Sequence, residues 1–574
     1  MELDPALCYR ALKSRDARFD GRFFTCVATT GIYCRPVCPA RLPLARNCSF
    51  VASAAAAQAA GFRPCLRCRP ECAPGAPAWR GTGAVAGRAL KLIAEGALDD
   101  DGVDRLAERA GLGARQLRRL IRAHAGASPV QIARARRILF AKRLIAETAL
   151  KFTDIAYASG FRSLRRFNAE MAAALGRPPR ALRKEKAGEA DTAIQAGGEL
   201  VLPLAYRPPY DWDGDLAFLA ARAAPGVERV AAGAYERRFA LGAARGRFRV
   251  THDPGRRALI AAIAIDRVDH LDRLVARLRA MFDLDADPQA IAAAFADDDL
   301  IAPRLAAVPG LRLVQSFDAF EAGLRAVIGQ QISVKGAATL LGRLAARCSG
   351  PDAPAIPMPE AVLAADLGGL GLTGARIASL AAWARFAATP GALDALRFQP
   401  GEAHGVLLGL PGFGPWTASY LALRGLGDTD AFPAGDLVLR RAAGLDERAL
   451  AARSEAWRPW RAYAAQALWR GAAQPPPPTS PPPAFGPPDE GFAPPPFRPS
   501  LTPALPRPSA IFISCSTGRR WWRSTIPATS RGCCACSAAA SRAQGWPRVP
   551  RRRRWRTPWR AISPAMAGRS AAWT

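Results

Sequence analysis

The chain has 574 residues and a formal net charge of +32, with 80 Lys and Arg against 48 Asp and Glu. That excess asks for a polyanionic partner, and because no long uncharged apolar run exists it excludes a membrane-spanning protein and favours nucleic acid. The length implies roughly four domains, while eight of thirteen cysteines fall before residue 73 with no charged leader and apolar segment ahead of them, which makes reducing cytoplasm the expected compartment.

The first predicted element is a metal centre. Cys34 and Cys38 form one short-spaced pair and Cys65 and Cys68 a second, with 26 residues between the pairs. Four thiolates in that arrangement suit a tetrahedral Zn2+ site. Arg35, Arg41, Arg46, Arg63, Arg67 and Arg69 surround the cysteines, a density expected of a surface that faces phosphates. A metal-held thiolate stays deprotonated at neutral pH, so the site reads either as a nucleophile or as a structural knot. Cys8, Cys26, Cys48 and Cys72 have no paired spacing and read as ordinary thiols. The runs Phe19-Asp20-Gly21-Arg22-Phe23-Phe24, Thr29 to Pro36 and Ala60 to Cys65 resemble the zinc module of Ada-type DNA repair regulators. That resemblance implies residues 1–75 as a methyl-acceptor domain, Zn2+ on all four cysteines, and Cys34 as the cysteine that takes a methyl group from a DNA methylphosphotriester.

Residues 83–186 are arginine-rich with helical periodicity. Leu106 to Leu112 is echoed by Ile155 to Phe161, each a short amphipathic run interrupted by glycine. The duplication predicts two helix-turn-helix units whose second helices enter a major groove. Arg115, Gln116, Arg118 and Arg119 in the first copy, and Arg162, Ser163, Arg165 and Arg166 in the second, are the expected DNA contacts. A helix over Pro129 to Ile145 joins them. The pattern is similar to the DNA-binding domain of AraC-type activators, which implies a promoter site and RNA polymerase as partners.

A linker is expected near 187–199, followed by a small α+β domain over 198–315. Tyr235 to Val250 and Arg257 to Ile265 alternate like strands, and Leu216 to Ala224 and His270 to Phe282 read as helices. Residues 316–473 read as almost entirely helical. Within them, Leu408-Gly409-Leu410-Pro411-Gly412-Phe413-Gly414-Pro415-Trp416 predicts a helix-hairpin-helix, with Gly412 and Gly414 letting backbone amides approach a phosphate. Asp436 follows 22 residues after Gly414, at a predicted helix start that favours a carboxylate.

Hairpin, Gly-Pro-rich loop and aspartate resemble the HhH-GPD DNA glycosylases. Arg207 to Trp212, Phe218 to Ala223, Gly310-Leu311-Arg312 and Ala326 to Ser333 look like the inducible 3-methyladenine type, AlkA, over about 200 to 472. The resemblance implies Asp436 as the catalytic carboxylate, and Phe218, Trp416, Tyr420 and Trp469 around a flipped base. Gln331 stands where that glycosylase inserts a leucine wedge. An N-alkylated purine is a cationic leaving group, so one carboxylate and stacked aromatics suffice. Trp416 occupies the position of the lysine of bifunctional lyases, which implies monofunctional hydrolysis. No cysteine lies between Cys348 and Cys515, which argues against an iron-sulfur loop.

From Gln474 the composition turns to Pro, Arg, Trp and Ser. The tail, 474–574, has fifteen arginines, no lysine and two acids, a net +13 that leaves +19 on the residues before it. It reads as disordered, or as a shifted reading frame in GC-rich DNA. The fold class expected is thus multidomain and mainly α with α+β parts: zinc domain, duplicated helix-turn-helix, small α+β domain, all-α HhH-GPD domain and tail. The expected function is alkylation-damage repair with methyl-dependent transcription control on double-stranded DNA. The alternatives are a transcriptional activator whose glycosylase half is only a DNA platform, and a zinc protein without methyl transfer.

Overall fold

The computed structural model describes residues 3–75, 83–186, 199–350, 354–398 and 400–472. The tail expected at 474–574 and nearly all of the expected linker lie outside the described residues. Near the N-terminus, β1 (Phe24–Val27) pairs antiparallel with β2 (Ile32–Cys34) and β3 (Cys48–Val51), and the short β4 (Arg63–Pro64) runs parallel to β2. Gly31 turns the β1–β2 connection at φ +64°, where a β-carbon is disfavoured. Tyr33 sits opposite Pro64, and the Cys65 amide donates to the Tyr33 carbonyl at 3.0 Å. That register delivers both cysteine pairs to one edge of the sheet.

The duplicated units form as expected. Helices Val103–Arg109 and Ala114–Ala125 make the first, and Phe152–Ala158 and Leu164–Leu175 the second; Gly111 and Gly160 turn between them at φ +65° and +78°. The joining helix runs Pro129–Glu147, opened by a capping box in which Ser128 and Gln131 satisfy each other's backbone amides. Leu106, Leu117 and Ile121 belong to a core of their own. The second unit instead shares its core: Ile155, Phe161, Phe167 and Met171 lie in the same apolar cluster as the following sheet.

That sheet comprises β5 (Leu200–Ala205), β6 (Glu228–Ala231), β7 (Ala234–Leu241), β8 (Ala244–Asp253) and β9 (Ala258–Ile265), all antiparallel in the order β5-β9-β8-β7-β6. The helix expected at Leu216–Ala224 begins four residues earlier and runs Trp212–Ala220, because the Asp211 carboxylate accepts the Gly214 amide at 3.1 Å and caps it. The helix expected at His270–Phe282 spans Leu271–Met281.

A buried square of charge ties sheet to helices. Arg237 contacts Glu228 at 3.3 Å and Glu321 at 3.1 Å, while Arg325 contacts Glu228 at 2.6 Å and Glu321 at 2.7 Å. Burial pushes the Glu321 carboxyl up, but Arg237 and Arg325 outweigh it and hold it well below the ordinary value. Stability from this group is therefore present above the ordinary carboxylate range and lost as pH falls toward its lowered folded value. Glu321→Ala leaves two guanidinium groups short of a partner and is expected to cost about 3–5 kcal/mol. Thermal unfolding measures it, and an unchanged melting temperature would contradict the ledger of charges.

The all-α part carries Ala319–Ile328, Val334–Ser349, Gly374–Ala388, Pro400–Leu408, Pro415–Leu421, Leu437–Ala443 and Arg461–Ala472. Trp383 is fully buried at its centre and donates to the Phe320 carbonyl at 2.9 Å. Gly323 gives the indole room, since a β-carbon there would collide with the ring.

Candidate catalytic, zinc and DNA-binding sites

Asp436 is the N-cap of helix Leu437–Ala443. One carboxylate oxygen accepts the Val438 and Leu439 amides, each at 3.0 Å, and the Trp469 indole N–H at 3.1 Å; the other accepts the Trp416 indole N–H at 2.8 Å. Both oxygens act only as acceptors, the bonding pattern of a carboxylate. Trp416 and Trp469 thus do more than offer ring faces, because both aim the acid. Trp416 also stacks on Tyr420, with centroids 5.1 Å apart at 21°, and Tyr420 meets Trp469 edge-on at 6.5 Å. All three rings are half-buried.

Phe218 and Tyr420 line the same cleft. Phe218 has the guanidinium carbons of Arg222 and Arg424 over its ring, 3.9 and 4.3 Å from the centroid. Neither arginine was singled out by sequence. Arginine in an alanine-rich helix carries no signal of its own, and only the approach of helix Trp212–Ala220 to the chain after Tyr420 reveals them.

The hairpin joins Pro400–Leu408 to Pro415–Leu421. Gly412 has φ +79°, and a β-carbon on it would collide with the Ser379 hydroxyl; Gly414 is extended and caps the second helix. Gln331 is exposed at φ +55°, a conformation strained for any residue but glycine. Its neighbour Gln330 donates to the Gly412 carbonyl at 2.7 Å and to the Thr417 hydroxyl at 3.1 Å, and its own carbonyl accepts from Arg376. The loop carrying Gln331 is thereby fixed to the hairpin and to the helix bearing Trp416 and Tyr420.

In the zinc centre the sulfurs of Cys34, Cys38, Cys65 and Cys68 lie within 4.8 Å of one another. Cys38, Cys65 and Cys68 are buried and Cys34 is half-buried. Hydrogen bonds shared among the four thiols pull Cys38 down to about 7 and Cys65 lower still, and push Cys34 and Cys68 up. Four thiolates can coexist at this distance only around a cation, and an all-sulfur tetrahedral donor set suits Zn2+. The chain's metal is zinc, and these four cysteines are the residues that could hold it.

The arginines around the centre divide into two groups. Arg41, Arg46, Arg63 and Arg67 are exposed. Arg35 and Arg69, expected to face phosphate, are engaged internally: Arg35 donates to Asp20 at 2.9 Å and to the Cys68 carbonyl at 3.0 Å, and Arg69 pairs with Glu147 at 2.5 Å. Each lies next to a ligand cysteine beside an acid left buried by the fold, and internal pairing wins. Arg115, Arg118 and Arg119 on the first recognition helix, Arg162 and Ser163 at the turn before the second, and Arg165 and Arg166 on it are all exposed. Ser163 also caps its helix by accepting the Arg166 amide.

Comparison with known proteins follows the same division. Residues 7–71 match the metal binding domain of Ada, 106–185 a helix-turn-helix domain and 201–318 the AlkA N-terminal domain. A Mycobacterium tuberculosis protein named "Probable bifunctional transcriptional activator/DNA repair enzyme AlkA" is 43% identical over 474 residues, covering 80% of this chain and 95% of the relative. The chain belongs to this bifunctional AlkA family. Partial relatives frame its two halves. The Escherichia coli protein named DNA-3-methyladenine glycosylase 2 is 37% identical over 279 residues, 46% of this chain and 95% of its own. The E. coli bifunctional transcriptional activator/DNA repair enzyme Ada is 54% identical over 63 residues, 11% of this chain and 18% of its own. Among the described residues no helix is long and apolar enough to cross a membrane.

Proposed function

We propose that the protein excises N-alkylated purines of the 3-methyladenine type from double-stranded DNA and, through its zinc module, accepts methyl groups from DNA phosphates to control transcription. The observation that carries the repair reading is Asp436, which caps its helix and accepts hydrogen bonds from two indole N–H groups, one of them on the Trp416 ring that stacks with Tyr420. A base flipped out of the duplex stacks on Trp416, Tyr420 and Trp469 with Phe218 bordering it, Gln331 fills the space left behind, and the amides near Gly412 and Gly414 grip the backbone. The C1′–N bond breaks with its electrons on the base. Asp436 then faces a developing oxocarbenium ion, and water completes hydrolysis at C1′.

In the zinc module the Cys34 sulfur attacks the methyl carbon of a phosphotriester. The carbon–oxygen bond breaks, its electrons return to the phosphate, and Cys34 becomes a thioether. Zinc, when bound, keeps the thiol ionised at neutral pH. Loss of one negative charge beside Arg41, Arg46, Arg63 and Arg67 strengthens their hold on phosphate and brings the recognition helices, with Arg115, Arg118, Arg119, Arg162, Ser163, Arg165 and Arg166, to a promoter from which RNA polymerase is recruited.

A duplex holding one alkylated purine tests the repair reading. Abasic sites are expected, seen as strand breaks after alkali, and no breaks without it, because Trp416 cannot form a Schiff base. Breaks without alkali, or none with it, would refute the assignment.

A further inference from the structure

The zinc module touches both helix-turn-helix units, and at the same place in each. Their recognition helices, Ala114–Ala125 and Leu164–Leu175, end on Gly126 and Gly176, at φ +71° and +72°. At the first end the Ser53 hydroxyl donates to the Ala125 carbonyl at 2.6 Å, and a β-carbon on Gly126 would sit 3.0 Å from that of Ala56. At the second end the Arg63 guanidinium covers Gly176 so closely that a β-carbon there would collide with it. A hydroxyl donor and a cation are what the carbonyl end of a helix favours.

Between those points the module lies along Pro129–Glu147, the helix that joins the two units. Ala55 packs against Ala127 and Ala135 around its start. At its far end Lys142 pairs with Glu71 at 2.5 Å, and Arg69, beside Cys68, pairs with Glu147, which Arg143 also holds at 2.8 Å. The Glu71 and Glu147 side chains are buried, so lifting the module off the helix would strand charge in the interior. The joining helix has 19 residues and is about 28 Å long, comparable to the roughly 34 Å from one major-groove turn to the next. A lever of that length leaves each unit free to swing at the short turns beside it, at Gly126 and at Thr148, unless something braces it. We infer that the zinc module is a splint that fixes the spacing of the two recognition helices on the duplex, with Ser53 as a positioning residue, so that promoter recognition depends on the docked module as well as on the charge it carries.

The inference rests on the reading of both helices as DNA readers, and the test separates the two. Zinc-loaded full chain selects a duplex from a random-sequence pool, and hydroxyl-radical footprinting locates the segments it contacts. One base pair is then inserted between the segments, and affinity for both duplexes is measured in excess nonspecific DNA. Ser53 also accepts the Ala56 amide at 3.0 Å and so caps Ala54–Ala59. Ser53→Asp keeps that cap but sets a carboxylate against the Ala125 carbonyl, at the negative end of the recognition helix. Ser53→Asn caps equally, and its NH2 group still donates; zinc content and thermal unfolding check both variants. The insertion is expected to cost the wild type and Ser53→Asn at least about tenfold in affinity, and Ser53→Asp less than about threefold. A merely structural role would weaken binding to both duplexes in proportion. Equal insertion penalties in all three proteins would mean that the joining helix sets the spacing alone, and that result, or a footprint with a single protected segment, overturns the inference. Failure to recover any duplex would instead overturn the reader assignment beneath it.

Discussion

Asp436→Asn is expected to lower base release by about a hundredfold to a thousandfold, the usual effect of removing one charge-stabilising group from a reaction centre, while DNA affinity changes little. The geometry explains why asparagine is the informative choice. Asn caps a helix as well as Asp, so the bonds from the Val438 and Leu439 amides to the first oxygen persist and the helix start is kept. At the second oxygen an NH2 group would face the Trp416 N–H, donor against donor. The variant therefore loses both the charge opposite the sugar cation and the bond that aims it, without unfolding. Excision near the wild-type rate by a folded Asp436→Asn protein would remove Asp436 from the mechanism.

Loss of zinc is expected to have the larger effect on folding. Binding of structural zinc is worth on the order of 10 kcal/mol in small domains, and the strands here are only two to four residues long, too short for independent stability. Chelation, or Cys38→Ala, is expected to abolish methyl acceptance and to expose the amides of residues 7–71 to rapid hydrogen exchange. The core around Trp383 makes none of its bonds through the zinc module and is expected to keep its protection. Persistent protection of the Cys65 amide, bonded to the Tyr33 carbonyl, in metal-free protein would show that the sheet stands without its metal.

What was legible in the sequence was local. The cysteine pairs, the duplicated turns with Gly111 and Gly160, and the Gly412 hairpin each depend on residues a few positions apart, and each appears in the structure where spacing placed it. Asp436 at a helix start was legible for the same reason. The partners that complete these features were not. Trp416 and Trp469 reach Asp436 across 20 and 33 residues, and Arg424 meets the Val314 carbonyl across 110. No periodicity encodes such contacts. Arg35 and Arg69 looked like phosphate ligands because neighbouring charge is visible in sequence, whereas Asp20 and Glu147, which neutralise them, are placed only by the packed fold. The shared core of the second helix-turn-helix unit and the sheet was hidden likewise, since Phe167 and Phe248 are far apart in the chain.

The most direct test of two chemistries in one chain uses a single sample. Full-length protein loaded with zinc is incubated with DNA methylated on both bases and phosphates; released purines are quantified by chromatography, and the modified cysteine is mapped by mass spectrometry. Free 3-methyladenine together with a methyl group on Cys34, and on no other cysteine, is the predicted result. A methyl group on Cys38, Cys65 or Cys68 in its place, or DNA that retains all its alkylated bases, would contradict it.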